Sequence, residues 1–381
     1  MNNSRRTPKN RNTRRWIWIA VGTVIAVILA IGGWIVYTNW REEQRAIQRQ
    51  EDVEAAVDSY LTAKTASDFD TFVSTLSIQS VSESDYTEEE LAERTLQKAF
   101  DFSSMYKVPK AYGSYEQLAY DPEIDIVYLA TPNSLHKDNM MMLLKANKHI
   151  LCEKAITMNK NELDDVLALA EEKNLIVAEA MTIYHMPIFS QLKERITGGE
   201  FGPLKMVHAF FGSLKPNDPT NRFFNPDLGG GALLDIGVYA LSFMRYFLSR
   251  QPDERRTTVS LHDSGVDERS SFQFSNKEGE MSTVSLSFRS KMPKQGVIVC
   301  EGAYITVMNY PRADSALITY SDGQTEEVTA GEHGRALTYE IENLSDTLST
   351  GKDLTSIDLT KDVNELMDWA AREWKMDWLI S

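Results

Sequence analysis

The chain reads as an α/β protein in three parts: an incomplete parallel sheet, an α+β domain with a large open antiparallel sheet after it, and one transmembrane helix ahead of both. Three observations carry this expectation. From about 93 to 182, short apolar runs alternate with amphipathic helical stretches, the pattern of a parallel sheet wound with helices. From 183 onward the apolar runs lengthen and alternate with polar residues, as in antiparallel strands with one wet face. From Trp16 to Trp40 there is no Asp, Glu, Lys or Arg. A helix of that length reaches ~37 Å, more than the ~30 Å hydrocarbon core of a bilayer.

At the N-terminus, Arg5, Arg6, Lys9, Arg11, Arg14 and Arg15 occur without a single acid. Trp16 and Trp18 at one end of the apolar run, and Trp34, Tyr37 and Trp40 at the other, stand where interfacial aromatic belts stand. The run is too long for a signal peptide, and no small-x-small cleavage site follows it. Basic residues before the span, against the mixed Arg41, Glu42, Glu43 and Arg45 after it, set the orientation. The expectation is a single-pass membrane protein with a cytoplasmic tail over 1–15, an anchor over 16–40 and the bulk of the chain outside. Residues 41–92 contain no Gly or Pro and are rich in Glu, Asp, Gln and Ser. They predict a helical stalk and an acidic connector, with Leu76, Ile78 and Val81 forming at most one short strand.

The parallel sheet is expected over 93–182. Ile124 to Ala130 is a continuous apolar strand ended by Thr131-Pro132-Asn133, and Ser134 opens a helix through Ala146. His149 to Lys154 is the next strand. Asn159, with Glu162 three residues later, forms a capping box for a helix to Lys173, and Leu175 to Ala180 is the third strand. Helical crossovers bring the three strand ends to one edge, the edge at which open α/β sheets bind ligands. The second domain, 183–381, is built from runs such as Leu204 to Phe211, Ser270 to Phe274, Met281 to Arg289 and Tyr304 to Asn309. A helix over Leu337 to Leu348 and the Trp-rich segment Asp362 to Trp378 close the chain.

A net charge of -15 argues against a nucleic-acid partner, since phosphate binding needs clustered Lys and Arg. Cys152 and Cys300 lie far apart in apolar runs with no ligand at metal spacing, so they read as buried thiols and no metal is expected.

Three groups of residues bear chemistry. Cys152-Glu153-Lys154 places a cation at a strand's C-terminal end. Gly229-Gly230-Gly231 precedes a helix on which Asp235 and Tyr239, at i and i+4, share one face. Thr131-Pro132-Asn133, followed by His136, stands at a strand-to-helix turn, where a helix cap is the plain reading. Taken in order with Ala111-Tyr112-Gly113-Ser114-Tyr115-Glu116 and Asp121-Pro122-Glu123-Ile124-Asp125, these segments resemble the Gfo/Idh/MocA family from about Glu93 to the end. Within it, the dihydrodiol and xylose dehydrogenase branch is nearest, with a Tyr following the Asp.

The resemblance implies a Rossmann domain, a second sheet domain, and hydride transfer between NAD(P) and a hydroxyl or carbonyl carbon of a sugar, inositol or diol. It implies Lys154, Asp235 and Tyr239 as the catalytic set, and Thr131, Pro132, Asn133, His136, Glu153 and Lys154 toward the cofactor. Arg222 would join Asp235 and Tyr239 toward the substrate, and a homo-oligomer would form through the antiparallel sheet. An ammonium beside a phenol is expected to lower its pKa from ~10. Two departures stand out. Ala155 replaces the motif proline, where a trans peptide would shift Lys154. No glycine occurs between Gly33 and Gly113, so the Gly-x-Gly-x-x-Gly turn that cradles a pyrophosphate is missing. The expectation is therefore an N-terminally truncated enzyme of this family fused to a membrane-anchored stalk, and the alternative is a catalytically impaired, membrane-anchored binding or interaction module.

Overall fold

The structure, a computed structural model, describes residues 88–106, 108–218 and 221–380. The expected tail, anchor and most of the stalk lie outside the described residues. The single-pass membrane localisation is corrected: no helix among the described residues is long and apolar enough to cross a membrane. The first of them, α1 (Glu88–Tyr106), carries seven charged residues between Glu88 and Asp101. It also runs through the position where an acidic connector was expected to end.

Helix α2 (Tyr115–Ala119) starts at Ser114, whose side chain accepts a hydrogen bond from the Gln117 N–H. The parallel sheet follows as β1 (Ile126–Leu129), α3 (His136–Lys145), β2 (His149–Glu153), α4 (Lys160–Lys173) and β3 (Val177–Ala180). Asn159 caps α4 by accepting from the Glu162 N–H, and the Glu162 carboxylate reaches back to the Met158 N–H at 2.9 Å. Asn174, in the left-handed region, ends the helix. The strands are in the order β1-β2-β3, with Leu129 opposite Cys152 and Cys152 opposite Glu179. Their C-terminal ends therefore lie side by side. Among the described residues, β1 has no partner on its outer edge.

Helix α5 (Pro187–Thr197) leads to β4 (Leu204–Gly212), and a five-residue π turn, Leu233–Gly237, opens α6 (Val238–Phe247). Strands β5 (Glu254–Leu261), β6 (Asp267–Ser275), β7 (Met281–Ser287), β8 (Met292–Cys300), β9 (Ala303–Met308), β10 (Ser315–Tyr320) and β11 (Thr325–Thr329) complete the second sheet. Its order is β11-β10-β9-β8-β4-β7-β6-β5. An antiparallel sheet was expected, but β4 runs parallel to β7, so the sheet is mixed. The reason is topological. The chain enters the middle of the sheet on β4 and leaves through α6 and the β5–β6 hairpin. That long crossover is the kind of connection parallel neighbours require.

One face of the second sheet is dry. Val207, Ala209, Val284, Leu286 and Ile298 from the strands meet Val238, Leu241, Phe243 and Phe247 of α6 in a single buried cluster. Helices α7 (Ala336–Thr350), α8 (Ile357–Glu373) and α9 (Asp377–Ile380) then return the chain to the first domain. Leu344 of α7 packs with Ile126, Leu151, Ala178 and Ala180 on one face of the parallel sheet. The opposite face is covered by Met140, Leu143 and Leu144 of α3 and Val166 of α4. Polar ties from the C-terminal segment finish the junction: the Thr360 hydroxyl donates to Glu179, Asn364 Nδ2 donates to Thr157 Oγ1, and Asn159 Nδ2 donates to the Leu379 carbonyl.

Gly296 of β8 shows how tightly α6 is seated, because a Cβ there would lie 2.2 Å from Cζ of Phe243. Gly296→Ala is expected to cost about 1–3 kcal/mol by overpacking. It should lower the urea midpoint while leaving the far-ultraviolet circular dichroism unchanged; an unmoved midpoint would show that this contact does not constrain the sheet.

Candidate active site

Strand β2 delivers Glu153 and Lys154 to the ligand-binding edge, and the Lys154–Ala155 peptide is cis. The Lys154 ammonium turns toward the second domain. It donates to the backbone carbonyl of Asp235 at 2.7 Å and lies 3.4 Å from Asp235 Oδ1. It also sits 4.7 Å from the centroid of the Tyr239 ring. Strand end and helix are thus joined at the three residues singled out in the sequence.

The three glycines serve the protein's own packing. Gly231, at φ +108°, lies against Asp267, and a Cβ there would be 2.4 Å from Asp267 Oδ1. The other carboxylate oxygen of Asp267 accepts the Leu233 N–H at 2.8 Å. This buried acid therefore anchors the π turn that carries Asp235. Gly230 has a similar constraint, since a Cβ would be 2.7 Å from the Asn225 carbonyl oxygen.

A cavity of about 190 Å³ opens between the two domains. Ala130, Thr131, Asn133, Glu153 and Lys154 line it from the parallel sheet, and Arg222, Phe223, Gly229 to Gly231 and Asp235 line it from the second domain. Pro132 is not among its walls. Nor is His136, which is fully buried, with Nδ1 3.0 Å from the Ala155 carbonyl oxygen and Nε2 2.8 Å from that of Thr131. Its ring bridges the ends of β1 and β2 from behind the cavity. Sequence reading missed Lys215, whose Nζ stands 3.9 Å from Asp235 Oδ2. A lone lysine just beyond a strand carries no periodic or motif signal that would have found it.

Electrostatics separates the three central groups. Burial pushes Asp235 up, but the charges of Lys154, Arg222 and Lys215 outweigh it and hold the carboxyl below its ordinary value. Burial likewise opposes the Lys154 charge, yet Asp235, Tyr239 and Glu153 leave its pKa raised. For Tyr239 the balance goes against expectation. The Lys154 ammonium does act to lower the phenol, but burial is the larger effect and the pKa is raised. The site at rest is an ammonium–carboxylate pair beside a neutral phenol.

With this geometry in place, comparison with known proteins is decisive. A sequence model described as the oxidoreductase family, NAD-binding Rossmann fold, matches residues 79–181. The GFO/IDH/MocA C-terminal domain model matches residues 189–306. The chain belongs to the Gfo/Idh/MocA oxidoreductase family. It is 30% identical over 268 residues to trans-1,2-dihydrobenzene-1,2-diol dehydrogenase of Xenopus laevis, covering 68% of this chain and 81% of that one. It is 34% identical over 192 residues to the human enzyme of that name, covering 50% and 57%. Among solved structures, aldose-aldose oxidoreductase from Caulobacter crescentus superposes with a TM-score of 0.65 at 21% identity, covering 73% of this chain and 87% of that one. A levoglucosan dehydrogenase complexed with NADH and levoglucosan gives 0.65 at 19%, covering 74% and 86%. These two likenesses show the fold. The family match starts at 79, ahead of the Glu93 expected from the motifs, and includes the NAD-binding domain itself. The alternative of an impaired binding module gains no support from these matches.

Asp267 and Glu179 share an unusual state: burial pushes each carboxyl up to about 7. An acid whose folded pKa is raised holds a proton that the unfolded chain has released, so the stability these two groups contribute is fully present below about pH 4. It declines as pH rises toward 7 and then levels off. Asp267→Asn is expected to flatten part of this decline, so that the difference in melting temperature between pH 5 and pH 7.5 shrinks relative to the wild type. An unchanged difference would show that Asp267 does not titrate in that window.

Proposed function

We propose that the chain interconverts a secondary alcohol and its ketone on a sugar, inositol or diol, with Lys154, Asp235 and Tyr239 handling the oxygen and its proton. The observation that carries this reading is the Lys154 ammonium itself, which lines the cavity with Asp235 and lies beside the Tyr239 ring, a ring that is not among the cavity's walls. An alcohol carbon that gives up a hydride must also release its hydroxyl proton, and the reverse reaction must supply one. Bound NAD(P) supplies the hydride acceptor or donor.

The donor set fits the nicotinamide end of such a cofactor, with Thr131, Asn133, Glu153 and Lys154 walling the strand-end side of the cavity. His136 supports them by spanning Thr131 and Ala155. Lys154 offers ammonium hydrogens to the reacting oxygen and stabilises negative charge developing there. Asp235 keeps that ammonium charged and aimed. Tyr239, neutral at rest, gives its proton to the alkoxide formed in ketone reduction. In alcohol oxidation it takes the proton only as its conjugate base. Arg222 faces the substrate from the second domain. The family's diol dehydrogenases and the sugar-processing structures support this substrate range.

Tyr239→Phe is expected to lower kcat for reduction by about 10²–10⁴ while leaving the dissociation constant for NADPH or NADH within about threefold. Equal turnover would remove Tyr239 from the mechanism. In the wild type, oxidation should accelerate with rising pH through pH 9 as the phenolate population grows, whereas reduction stays flat near neutrality. Oxidation that is independent of pH would assign the proton to another group.

Self-association belongs to the same reading. Tyr304, Met308 and Leu317 stand exposed on the outer face of the second sheet, opposite the helices. A second copy of the chain covering them is expected to appear as a dimer or larger species in sedimentation, and Leu317→Glu should shift it toward the monomer. A wild-type chain that sediments only as a monomer would exclude this surface.

A further inference from the structure

The cations around Asp235 exceed what that one carboxylate needs. Lys154, Arg222 and Lys215 approach it at 3.4, 3.7 and 3.9 Å. Lys154 is satisfied by the Asp235 backbone carbonyl. Arg222 and Lys215 are not: among the described residues, Asp235 is the only carboxylate within 4 Å of either, and both distances exceed a hydrogen bond. The second acid of the cavity, Glu153, is already engaged. One of its oxygens accepts from the Tyr128 hydroxyl and the other from the Lys154 backbone N–H.

What holds the two cations is an aromatic platform. Lys215 Nζ lies 3.6 Å, and the Arg222 guanidinium carbon 4.2 Å, from the centroid of the Phe223 ring. A ring face steadies a cation without occupying its N–H donors, which stay free for a ligand. Burial lowers the pKa of Lys215; Asp235 works against that, while Arg222, Lys154 and Lys294 add to it. The side chain of Lys215 is only 18% exposed. A poorly neutralised ammonium is costly to bury, and this one lies in a chain of net charge -15. Arg222 lines the cavity and Lys215 stands next to its wall, against the ring of the lining residue Phe223. Cations so placed, with donors that no described carboxylate takes at hydrogen-bond distance, form a receptor for an anion.

We propose that the substrate carries an anionic group, a carboxylate or a phosphate, near its reacting hydroxyl, received by Lys215 and Arg222 while Lys154 and Tyr239 face the reacting oxygen. The inference rests on the oxidoreductase reading above and narrows its substrate class to charged polyols.

The test measures initial rates of the full chain with NAD⁺ and NADP⁺ against glucuronate, glucose 6-phosphate, uncharged glucose and an uncharged cyclic diol. At least one anionic polyol is expected to exceed glucose in kcat/KM by ~30-fold, and the better of the two identifies the group as carboxylate or phosphate. Lys215→Met and Arg222→Gln should each cut that ratio at least ~10-fold. Arg222 is 64% exposed, so its variant is expected to fold even if the Lys215 variant does not. Uncharged substrates turned over as well as the anionic ones would overturn the inference and leave the oxidoreductase reading standing. Anionic polyols that inhibit competitively against NAD(P) would also overturn it, by assigning the cations to cofactor phosphates. If no substrate is turned over, the oxidoreductase reading itself fails, and calorimetry with glucuronate and inorganic phosphate decides the charge question. Saturable binding lost in Arg222→Gln supports the anion site, and no binding refutes it.

Discussion

The fold is organised around one partly buried ammonium, that of Lys154. Lys154 sits at the end of a strand whose preceding residues, Ile150 to Cys152, are shielded from water, and a charge in that position requires a partner. The partner is supplied by Asp235, 81 positions later in the chain. Two hydrogen bonds, 2.7 Å to the Asp235 carbonyl and 3.4 Å to Oδ1, therefore tie the parallel sheet to the π turn that opens the helix of the second domain. The cavity exists because these two elements meet at their ends and not along their lengths.

Around this link the protein divides its ionisable groups by environment. Lys154 and Asp235 keep each other charged, while Tyr239, in the same desolvated setting, is kept neutral because burial exceeds the pull of the ammonium. Asp267 works one step behind them. Its carboxylate takes the N–H of Leu233 and leaves room beside it only for glycine, so the π turn bearing Asp235 is held at both its start and its side chain. The glycine run is a packing device before it is a ligand-binding one.

The domains are joined by exchange of elements more than by simple apposition. The last helices of the chain return to the first domain: Leu344 covers one face of the parallel sheet, and Thr360 and Asn364 bond to Glu179 and Thr157 behind it. The C-terminal residues thus stabilise the sheet that presents Lys154. Removing them would expose Ile126 and Leu151 of the sheet to water.

Much of this was legible in the chain alone. The three parallel strands, their helices and the Asn159 cap follow from apolar periodicity and capping chemistry, which act locally and leave a local trace. Lys154, Asp235 and Tyr239 stood out because strand ends and helix faces place side chains at known spacings. Other features left no such trace. The parallel entry of β4 into the second sheet depends on which strands become neighbours, and periodicity does not encode neighbours. His136 behind the cavity, Lys215 beside Asp235 and the neutral state of Tyr239 depend on distances and burial between segments remote in sequence. The sequence by itself determined the elements and the family. Only the tertiary structure decided which charges meet, because Coulomb and desolvation energies are set by separation in space and not by separation along the chain.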